Sequence, residues 1–300
     1  MKASPQRLRR TEQRSTRSRG LDQRTTRDIV CAISREDAGV AHAVARELPR
    51  IARATDAVAH ALQSGGRLIY VGAGTSGRLA TLDAAECPPT FGVSPAMVQA
   101  VIAGGRRALT GAVEGAEDNA LQGKKDLAAR RLMPRDVVVG LSASGTTPYV
   151  LGALQFARRR GACAIAVTAN RRSPIARVAH IAIVAETGPE IIAGSTRMKA
   201  GTAQKMILNM LSTAAMIRLG RVYNNWMVDV ALSNRKLRQR GLRILQEAAG
   251  ARPSQAARAL RLAGNDLRVA LIMLKSGAEA AAARRRLRAA GGMLRPALGE

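Results

Sequence analysis

The segment 72–78, which reads Gly-Ala-Gly-Thr-Ser-Gly-Arg, constrains the fold more than any other stretch of this chain. It follows a short apolar run, 68–71, and precedes an apolar segment, 79–85. This order predicts a strand, a tight glycine loop and the start of a helix. Glycine lets the backbone approach a ligand closely, and the free N–H groups at a helix start favour an anion. We therefore expect this first loop to bind a phosphate group through Gly74, Thr75 and Ser76.

A second loop repeats this arrangement. The Val-rich run 136–141 predicts a buried strand, and residues 142–147 then bring hydroxyl groups and a glycine to the start of a helix at Pro148. Strand exits of an open α/β sheet meet at one crevice, so the two loops are expected to converge. The first loop lacks P-loop spacing, and Arg78 directly follows its last glycine, Gly77; we favour a compact phosphate over a nucleotide. The candidate phosphate-binding residues of this second loop are Ser142, Ser144, Gly145 and Thr146. Two ordinary capped helices remain the alternative.

A third polar segment, 194–205, opens an apolar helix expected at 202–219. Ser195 and Lys199 are candidates to complete the anion site, and the alternative is a helix cap with solvated cations. Two acids lie beside the loops. Glu86 falls at the expected end of the helix 79–85, where the helix dipole disfavours an acid, whereas Glu117 could be an ordinary cap at a helix start. Paired carboxylates can act as acid and base when their environments differ.

Strands and helices alternate, which predicts an α/β fold: a parallel five-stranded α/β sandwich followed by a small C-terminal helical domain. We divide the chain into a basic, disordered tail (1–27), a phosphate-binding domain (28–239) and a small helical domain (240–300), with a helix at 222–239. The expected strands are 68–71, 97–103, 136–141, 162–168 and 179–184.

The composition limits the partners and the compartment. The net charge is +27, yet only 2% of the residues are aromatic, so the base-stacking groups of a nucleic-acid surface are scarce. We interpret the excess of arginine as coding bias and solvated surface, and expect no specific nucleic-acid partner. Three separated cysteines indicate a reducing compartment without disulfides, and no apolar run is long enough for a membrane span. We expect a cytoplasmic protein that needs no metal, because the three histidines have no ligand partners at metal spacing.

Five motifs taken together resemble the N-acetylmuramic acid 6-phosphate etherases, which belong to the sugar isomerase (SIS) fold. The similarity runs from about residue 11 to the C-terminus. The resemblance implies a parallel α/β sandwich with a small helical domain, a phosphosugar substrate, no cofactor and a homodimer with sites near the interface. The motifs are TEQR (11–14), GAGTSGRLATLDAAECPPTFG (72–92), AVEGAEDN (112–119), ASGTTPYV (143–150) and GSTRMKAGTAQKMILNMLSTAAMIRLGRVYNNWMVDV (194–230).

The resemblance also implies a reaction and two catalytic residues. Lactate is cleaved from the lactyl ether of N-acetylmuramate 6-phosphate, with Glu117 as the base at C2 and Glu86 as the acid at the ether oxygen. We expect both carboxylates to be shielded from bulk solvent and close to the glycine turns. Thr146 departs from the family pattern, in which we expect an arginine.

Three alternatives remain at this stage. A non-catalytic phosphosugar regulator would share the glycine loop, but such regulators are longer and carry two such domains. An aldose–ketose phosphosugar isomerase would also use a glutamate base. A DNA-binding regulator would need a helix-turn-helix before the first strand, where residues 28–66 indicate two long helices instead.

Overall fold

The computed structural model describes residues 10–230, 232 and 234–300. Two compact units divide the chain: one comprises residues up to Ala84 and Ala96–Ser212, and the other comprises Ala85–Pro95 and Thr213–Glu300. This division differs from the boundary at residue 240 suggested by the sequence. The physical reason is that Tyr223, Val228 and Val230 are buried in the core of the second unit.

The first unit is built around the predicted five-stranded sheet. The strands pair in the order β2-β1-β3-β4-β5, and all four pairings are parallel. β1 and β3 are buried at every residue, as expected for apolar strands covered on both faces. The strands are β1 (Leu68–Gly72), β2 (Val98–Ile102), β3 (Val137–Leu141), β4 (Cys163–Thr168) and β5 (Ile181–Val184).

Among the described residues, eight α-helices lie wholly or partly in the first unit, and two of them, α4 and α8, continue into the second. α3 packs against β1, β3 and β5, while α6 and α7 pack against the sheet next to α5. The Tyr70 hydroxyl donates to Asp83 Oδ2 at 2.8 Å and so ties β1 to α4. The helices are α1 (Thr26–Asp37), α2 (Val40–Ala45), α3 (Leu48–Gln63), α4 (Gly74–Phe91), α5 (Ala120–Ala129), α6 (Pro148–Arg159), α7 (Pro174–Val178) and α8 (Lys199–Arg218).

Two helix predictions near the prolines were wrong in their bounds. The stretch 28–66, predicted as two long helices, lies across three helices, and Pro49 lies in the first turn of α3, where proline is tolerated. The predicted helix 79–85 starts at Gly74 and continues through Pro88 and Pro89 to Phe91. Neither proline stops the helix, which ends before Gly92, a residue with a left-handed φ of 62°.

The amino-terminal segment is more ordered than predicted. Residues 10–23 contain three short 3-10 helices, Arg10–Glu12, Thr16–Ser18 and Leu21–Gln23. Thr11 is buried, so from residue 10 onward the prediction of a disordered tail was wrong. Residues 1–9 lie outside the described residues.

The second unit is a helical bundle with one hairpin. The predicted helix 222–239 was wrong for its first part, because residues 222–227 form two short antiparallel strands, with Asn224 at a left-handed φ of 51° in the turn. Asparagine accepts this conformation more readily than most residues. Residues 231 and 233 of that prediction lie outside the described part of the chain. The elements are β6 (Val222–Tyr223), β7 (Trp226–Met227), α9 (Arg235–Ala249), α10 (Pro253–Leu262), α11 (Leu267–Ser276), α12 (Ala280–Ala289) and α13 (Leu294–Leu298).

Candidate active site

The two predicted phosphate loops start side by side at one edge of the sheet. β1 pairs in parallel with β3, and Gly72 lies opposite Leu141 at their carboxyl ends. β2 lies on one side of β1, whereas β3, β4 and β5 follow on the other side. The connections therefore change direction between β1 and β3, and open α/β sheets bind ligands in the crevice at such a switch point. The predicted convergence is confirmed for the positions where the loops begin.

The first loop is shaped by a close backbone approach at Gly72. A Cβ atom there would lie 2.7 Å from the nitrogen of Gly77, so a larger residue would displace the first turn of α4. α4 begins at Gly74, and the first N–H groups of a helix have no partner within it. Thr75 is half-buried, and the buried Ser76 donates its hydroxyl hydrogen to Gln204 Oε1 at 2.8 Å. The loop thus combines N–H and hydroxyl groups that suit a phosphate.

The second loop contains a connected chain of hydroxyl groups. Ser142 Oγ lies 3.2 Å from Ser144 Oγ and 2.8 Å from Thr147 Oγ1. Ser144 Oγ also lies 3.0 Å from Thr146 Oγ1. The N–H of Gly145 donates to Ser142 Oγ at 3.0 Å, which fixes the turn. Because a hydroxyl both donates and accepts, this chain can present hydrogen-bond donors to an anion by rotating its hydrogens.

The turn at residue 145 requires glycine. Its φ is 71°, in the left-handed region, and a Cβ atom there would lie 2.3 Å from Ser173 Oγ. Thr146, the departure from the expected arginine, is half-buried, and its N–H donates to Ser144 Oγ at 3.3 Å. The threonine therefore extends the hydroxyl chain and brings no positive charge to the loop.

Asn170 holds the second loop in place, although the sequence analysis did not select it. Its Nδ2 group donates to the carbonyl oxygens of Ala143 at 3.1 Å and Ser144 at 3.2 Å. The same Nδ2 lies 3.4 Å from Oγ1 of the buried Thr11, so the amino-terminal segment packs beside the loop. The available signal was the polar exit that follows a third apolar strand, β4.

The third segment provides less of an anion site than predicted. Lys199 is buried and its Nζ lies 2.5 Å from Glu36 Oε2, so its charge is already paired. The N–H groups of Lys199 and Ala200 donate to the Glu190 carboxylate at 3.0 and 2.9 Å. An internal carboxylate therefore occupies the amino terminus of α8. Ser195, half-buried in the loop before the helix, stays a predicted ligand.

Burial and pairing shift the pKa values of these two acids in opposite directions. Burial raises the pKa of Glu190, although the hydrogen bonds from α8 oppose this effect. Burial also acts to raise the pKa of Glu36, but the hydrogen bond and charge of Lys199 outweigh it, and the pKa of Glu36 is lowered. Glu36 is therefore ionised more readily than an ordinary glutamate, as its pairing with a buried ammonium group requires.

The two predicted catalytic acids are exposed in the single chain. Glu86 lies within α4 in the second unit, five residues before the helix ends, and not at a helix stop as predicted. Glu117 lies in the first unit, in the 3-10 helix Ala116–Asp118, which packs against α6. The side chains of both acids are exposed, so the expectation that this chain shields them was wrong. Their catalytic roles stay predictions.

Arg78 organises the segment that leads to Glu117. Its Nε donates to the carbonyl oxygens of Ala108 and Leu109 at 3.0 and 3.2 Å, and its Nη2 donates to that of Gly111 at 2.8 Å. Arg78, which directly follows the last glycine of the first loop, thus ties α4 to residues 108–111. Its Nε and Nη2 groups are thus engaged by backbone carbonyl oxygens.

The described residues contain no group of three His, Cys, Asp or Glu side chains that could hold a metal ion. None of the helices among them has the length and apolar character needed to cross a membrane.

Family models define the class of protein to which this fold and site belong. A model described as the glucokinase regulatory protein N-terminal SIS domain matches residues 50–158, and one described as the SIS domain matches residues 120–214. A phosphoheptose isomerase from Francisella tularensis has the same fold, with a TM-score of 0.50 and 19% identity, over 64% of this chain and 98% of that chain. The first unit is thus a SIS fold, as predicted.

Curated relatives then identify the family. An N-acetylmuramic acid 6-phosphate etherase from Symbiobacterium thermophilum is 55% identical over 89% of both chains. One from Edwardsiella ictaluri is 52% identical over 97% of both chains, and N-acetylmuramic acid 6-phosphate etherase 1 from Bacillus licheniformis is 53% identical over 89% of this chain and 88% of its own. The chain belongs to the N-acetylmuramic acid 6-phosphate etherase family, which confirms the resemblance drawn from the motifs.

Proposed function

We propose that this protein is a carbon–oxygen lyase that cleaves the lactyl ether of N-acetylmuramic acid 6-phosphate. The products are N-acetylglucosamine 6-phosphate and D-lactate. One observation carries this proposal: relatives named for this activity are 52–55% identical over nearly the full length of both chains. The SIS fold by itself supports only a phosphosugar ligand, because the same fold occurs in a phosphoheptose isomerase.

The substrate phosphate binds, in this proposal, at the switch point between β1 and β3. The unpaired N–H groups at the start of α4 and the hydroxyls of Thr75 and Ser76 face the anion from the first loop. The hydroxyl chain of Ser142, Ser144 and Thr146 faces it from the second. Charge-assisted hydrogen bonds to such donors are about twice as strong as neutral ones, so a few of them suffice to anchor a phosphate.

The reaction is an elimination followed by an addition. In the open-chain sugar the aldehyde at C1 acidifies the hydrogen on C2, and the carboxylate of Glu117 removes it as a proton. The carboxylic acid of Glu86 donates a proton to the ether oxygen as the C3–O bond breaks, because unprotonated lactate oxygen is a poor leaving group. Water then adds to the unsaturated aldehyde: its oxygen bonds to C3 and its released proton goes to the Glu86 carboxylate, while Glu117 returns its proton to C2. Atoms and charge balance without a redox step.

A second copy of the chain completes the site in this proposal. Both carboxylates are exposed in the single chain, whereas proton transfer between carboxyl groups and carbon is favoured where bulk water is excluded. A homodimer that covers these acids would supply this exclusion. We place the enzyme in the cytoplasm, in the recycling of cell-wall amino sugars, since its substrate carries both a lactyl ether and a phosphate.

The test is to incubate the purified protein with N-acetylmuramic acid 6-phosphate and to measure D-lactate. Glu86→Gln and Glu117→Gln should each lower the rate of lactate release at least a hundredfold, while their thermal unfolding curves match that of the original protein. Glu114→Gln is the matched control, because Glu114 is an exposed acid three residues before Glu117. Isomerised sugar phosphate without lactate would instead indicate an isomerase. Ligand binding without turnover would indicate a regulator.

A further inference from the structure

Gln204 is a buried amide with one unpaired end, directly behind the first loop. The residue lies in the second turn of α8 and is 3% exposed. Its Oε1 accepts the hydroxyl hydrogen of Ser76 at 2.8 Å. Its Nε2 is buried and has no hydrogen-bond partner among the described residues. Buried polar atoms of this kind are rare in folded proteins, because a donor removed from water without a new partner raises the free energy of the folded state.

The surroundings of Gln204 offer the amide no water. The residue lines a small cavity between the strand ends, the second loop and α8, with Ala143, Thr168 and Ala203 among the other lining residues. The cavity has no room for a water molecule. A bridging water needs both space and several polar partners, so it cannot satisfy the amide here. The unpaired end of Gln204 is therefore a feature of the protein packing itself.

In the observed hydrogen bond, the Ser76 hydroxyl donates its hydrogen to Gln204 and therefore cannot donate it to an anion. A serine hydroxyl has one hydrogen to donate and two lone pairs that accept. While the hydrogen points to Gln204 Oε1, the Ser76 oxygen can offer only lone pairs to a phosphate, which repel its charge. The first loop needs the reverse direction, with the hydroxyl accepting from the protein and donating to the ligand.

We propose that Gln204 is a positioning residue whose amide group turns over when the phosphosugar binds, so that Nε2 donates to Ser76 Oγ and the Ser76 hydroxyl donates to the phosphate. The turn needs little space, because the amide O and N are nearly equal in size. It leaves the carbonyl oxygen of Gln204 facing the cavity, and unpaired buried acceptors are more common in proteins than unpaired N–H donors. The new chain, from amide to hydroxyl to phosphate, strengthens each of its hydrogen bonds. This inference rests on the proposed phosphate site at the first loop.

A double-mutant cycle tests the coupling between the two residues. Gln204→Met keeps the length and volume of the side chain but removes the amide, and Ser76→Ala removes the hydroxyl. We expect each single change to raise KM for N-acetylmuramic acid 6-phosphate about tenfold with little change in kcat. In the Ser76→Ala background, Gln204→Met should raise KM less than twofold further. Equal effects of Gln204→Met in both backgrounds would mean a purely structural role and would overturn the proposal.

Ser212→Ala provides the matched control on the same two helices. Ser212 Oγ lies 3.0 Å from Asp83 Oδ1, so this variant also removes a buried hydrogen bond between α8 and α4, two turns beyond Gln204. It should lower the melting temperature and leave KM unchanged. A rise in KM as large as that of Gln204→Met would contradict a specific action on Ser76.

A measurement on the unaltered protein covers the case in which a variant does not fold. In protein labelled with nitrogen-15 at glutamine side chains, the two Nε2 hydrogens of Gln204 give signals assigned by comparison with Gln204→Met. Saturation with N-acetylglucosamine 6-phosphate, which carries the phosphate but no ether, should shift these signals and slow their exchange with water. Unchanged signals at saturation, or no binding at all, would overturn the proposal. Binding without lactate release from the substrate would refute only the proposed reaction.

Discussion

Replacing Gly72 by alanine should weaken phosphate binding by displacing the start of α4. The new Cβ atom would lie 2.7 Å from the Gly77 nitrogen and 2.9 Å from its Cα. Ordinary van der Waals contact begins near 3.4 Å, so the first turn of α4 must move by about 0.7 Å. The obstructing atoms belong to backbone and cannot rotate away. Overpacking of this kind costs about 1–3 kcal/mol of stability.

The displacement of the first turn of α4 should also weaken substrate binding. A movement of about 0.7 Å is enough to break one hydrogen bond to the phosphate, and a hydrogen bond to a charged group contributes about 1.5–3 kcal/mol. Each 1.36 kcal/mol corresponds to a factor of ten, so KM should rise about ten- to hundredfold. The assay combines urea unfolding with the initial rate of D-lactate release over a range of substrate concentrations.

Gly66→Ala is the control for a general loss of stability. A Cβ atom at Gly66 would lie 2.1 Å from the Arg135 carbonyl oxygen, so this variant also forces backbone apart. It does so before the amino end of β1, at the opposite end of the strand from the first loop. Gly66→Ala should lower stability and leave KM within about twofold of the original, an order-of-magnitude expectation for a distant site. Equal KM values for the two variants would refute the placement of the phosphate at the first loop.

Two further changes test the supports of the site. Glu36→Gln leaves the buried Lys199 unpaired and should lower the free energy of unfolding by about 3 kcal/mol at neutral pH. The pKa of Glu36 is lowered in the folded protein from its ordinary value of 4.5, so the ion pair stabilises the fold fully at pH values above 4.5. This stabilisation is lost as the pH falls through the lower, folded-state pKa. The unfolding curves of the original protein and of Glu36→Gln should therefore converge in acid. Arg78→Met frees the carbonyl groups it holds, so hydrogen exchange in residues 105–118 should accelerate and kcat should fall more than KM rises. Unchanged exchange would show that Arg78 does not fix the Glu117 segment.

The sheet could be predicted from the sequence because its strands are short apolar runs. The run Val137–Leu141 is buried at every residue and matches its predicted strand within one residue. The order of the strands carries no such local signal, because it depends on pairings between distant residues such as Gly72 and Leu141. The hairpin at 222–227 was missed, although asparagine is common in turns, because the flanking apolar residues also fit a helix.

The candidate site was predictable in its loops but not in its internal pairing. Glycines and hydroxyls at two strand exits are local patterns, and the loops they form begin where the sequence suggested. The pairing of Lys199 with Glu36 joins residues 163 positions apart, which no spacing rule detects. Gln204 could not be selected from the sequence either, because its contact with the Ser76 hydroxyl joins residues that are far apart in the chain.

The most direct test of the proposed elimination and addition is the fate of oxygen from water. The protein is incubated with N-acetylmuramic acid 6-phosphate in water enriched in oxygen-18, and both products are analysed by mass spectrometry. Elimination breaks the C3–O bond, so the new C3 hydroxyl of N-acetylglucosamine 6-phosphate should carry the heavy oxygen while D-lactate keeps the original ether oxygen. Heavy oxygen in the lactate hydroxyl, with none at C3, would contradict the proposed chemistry.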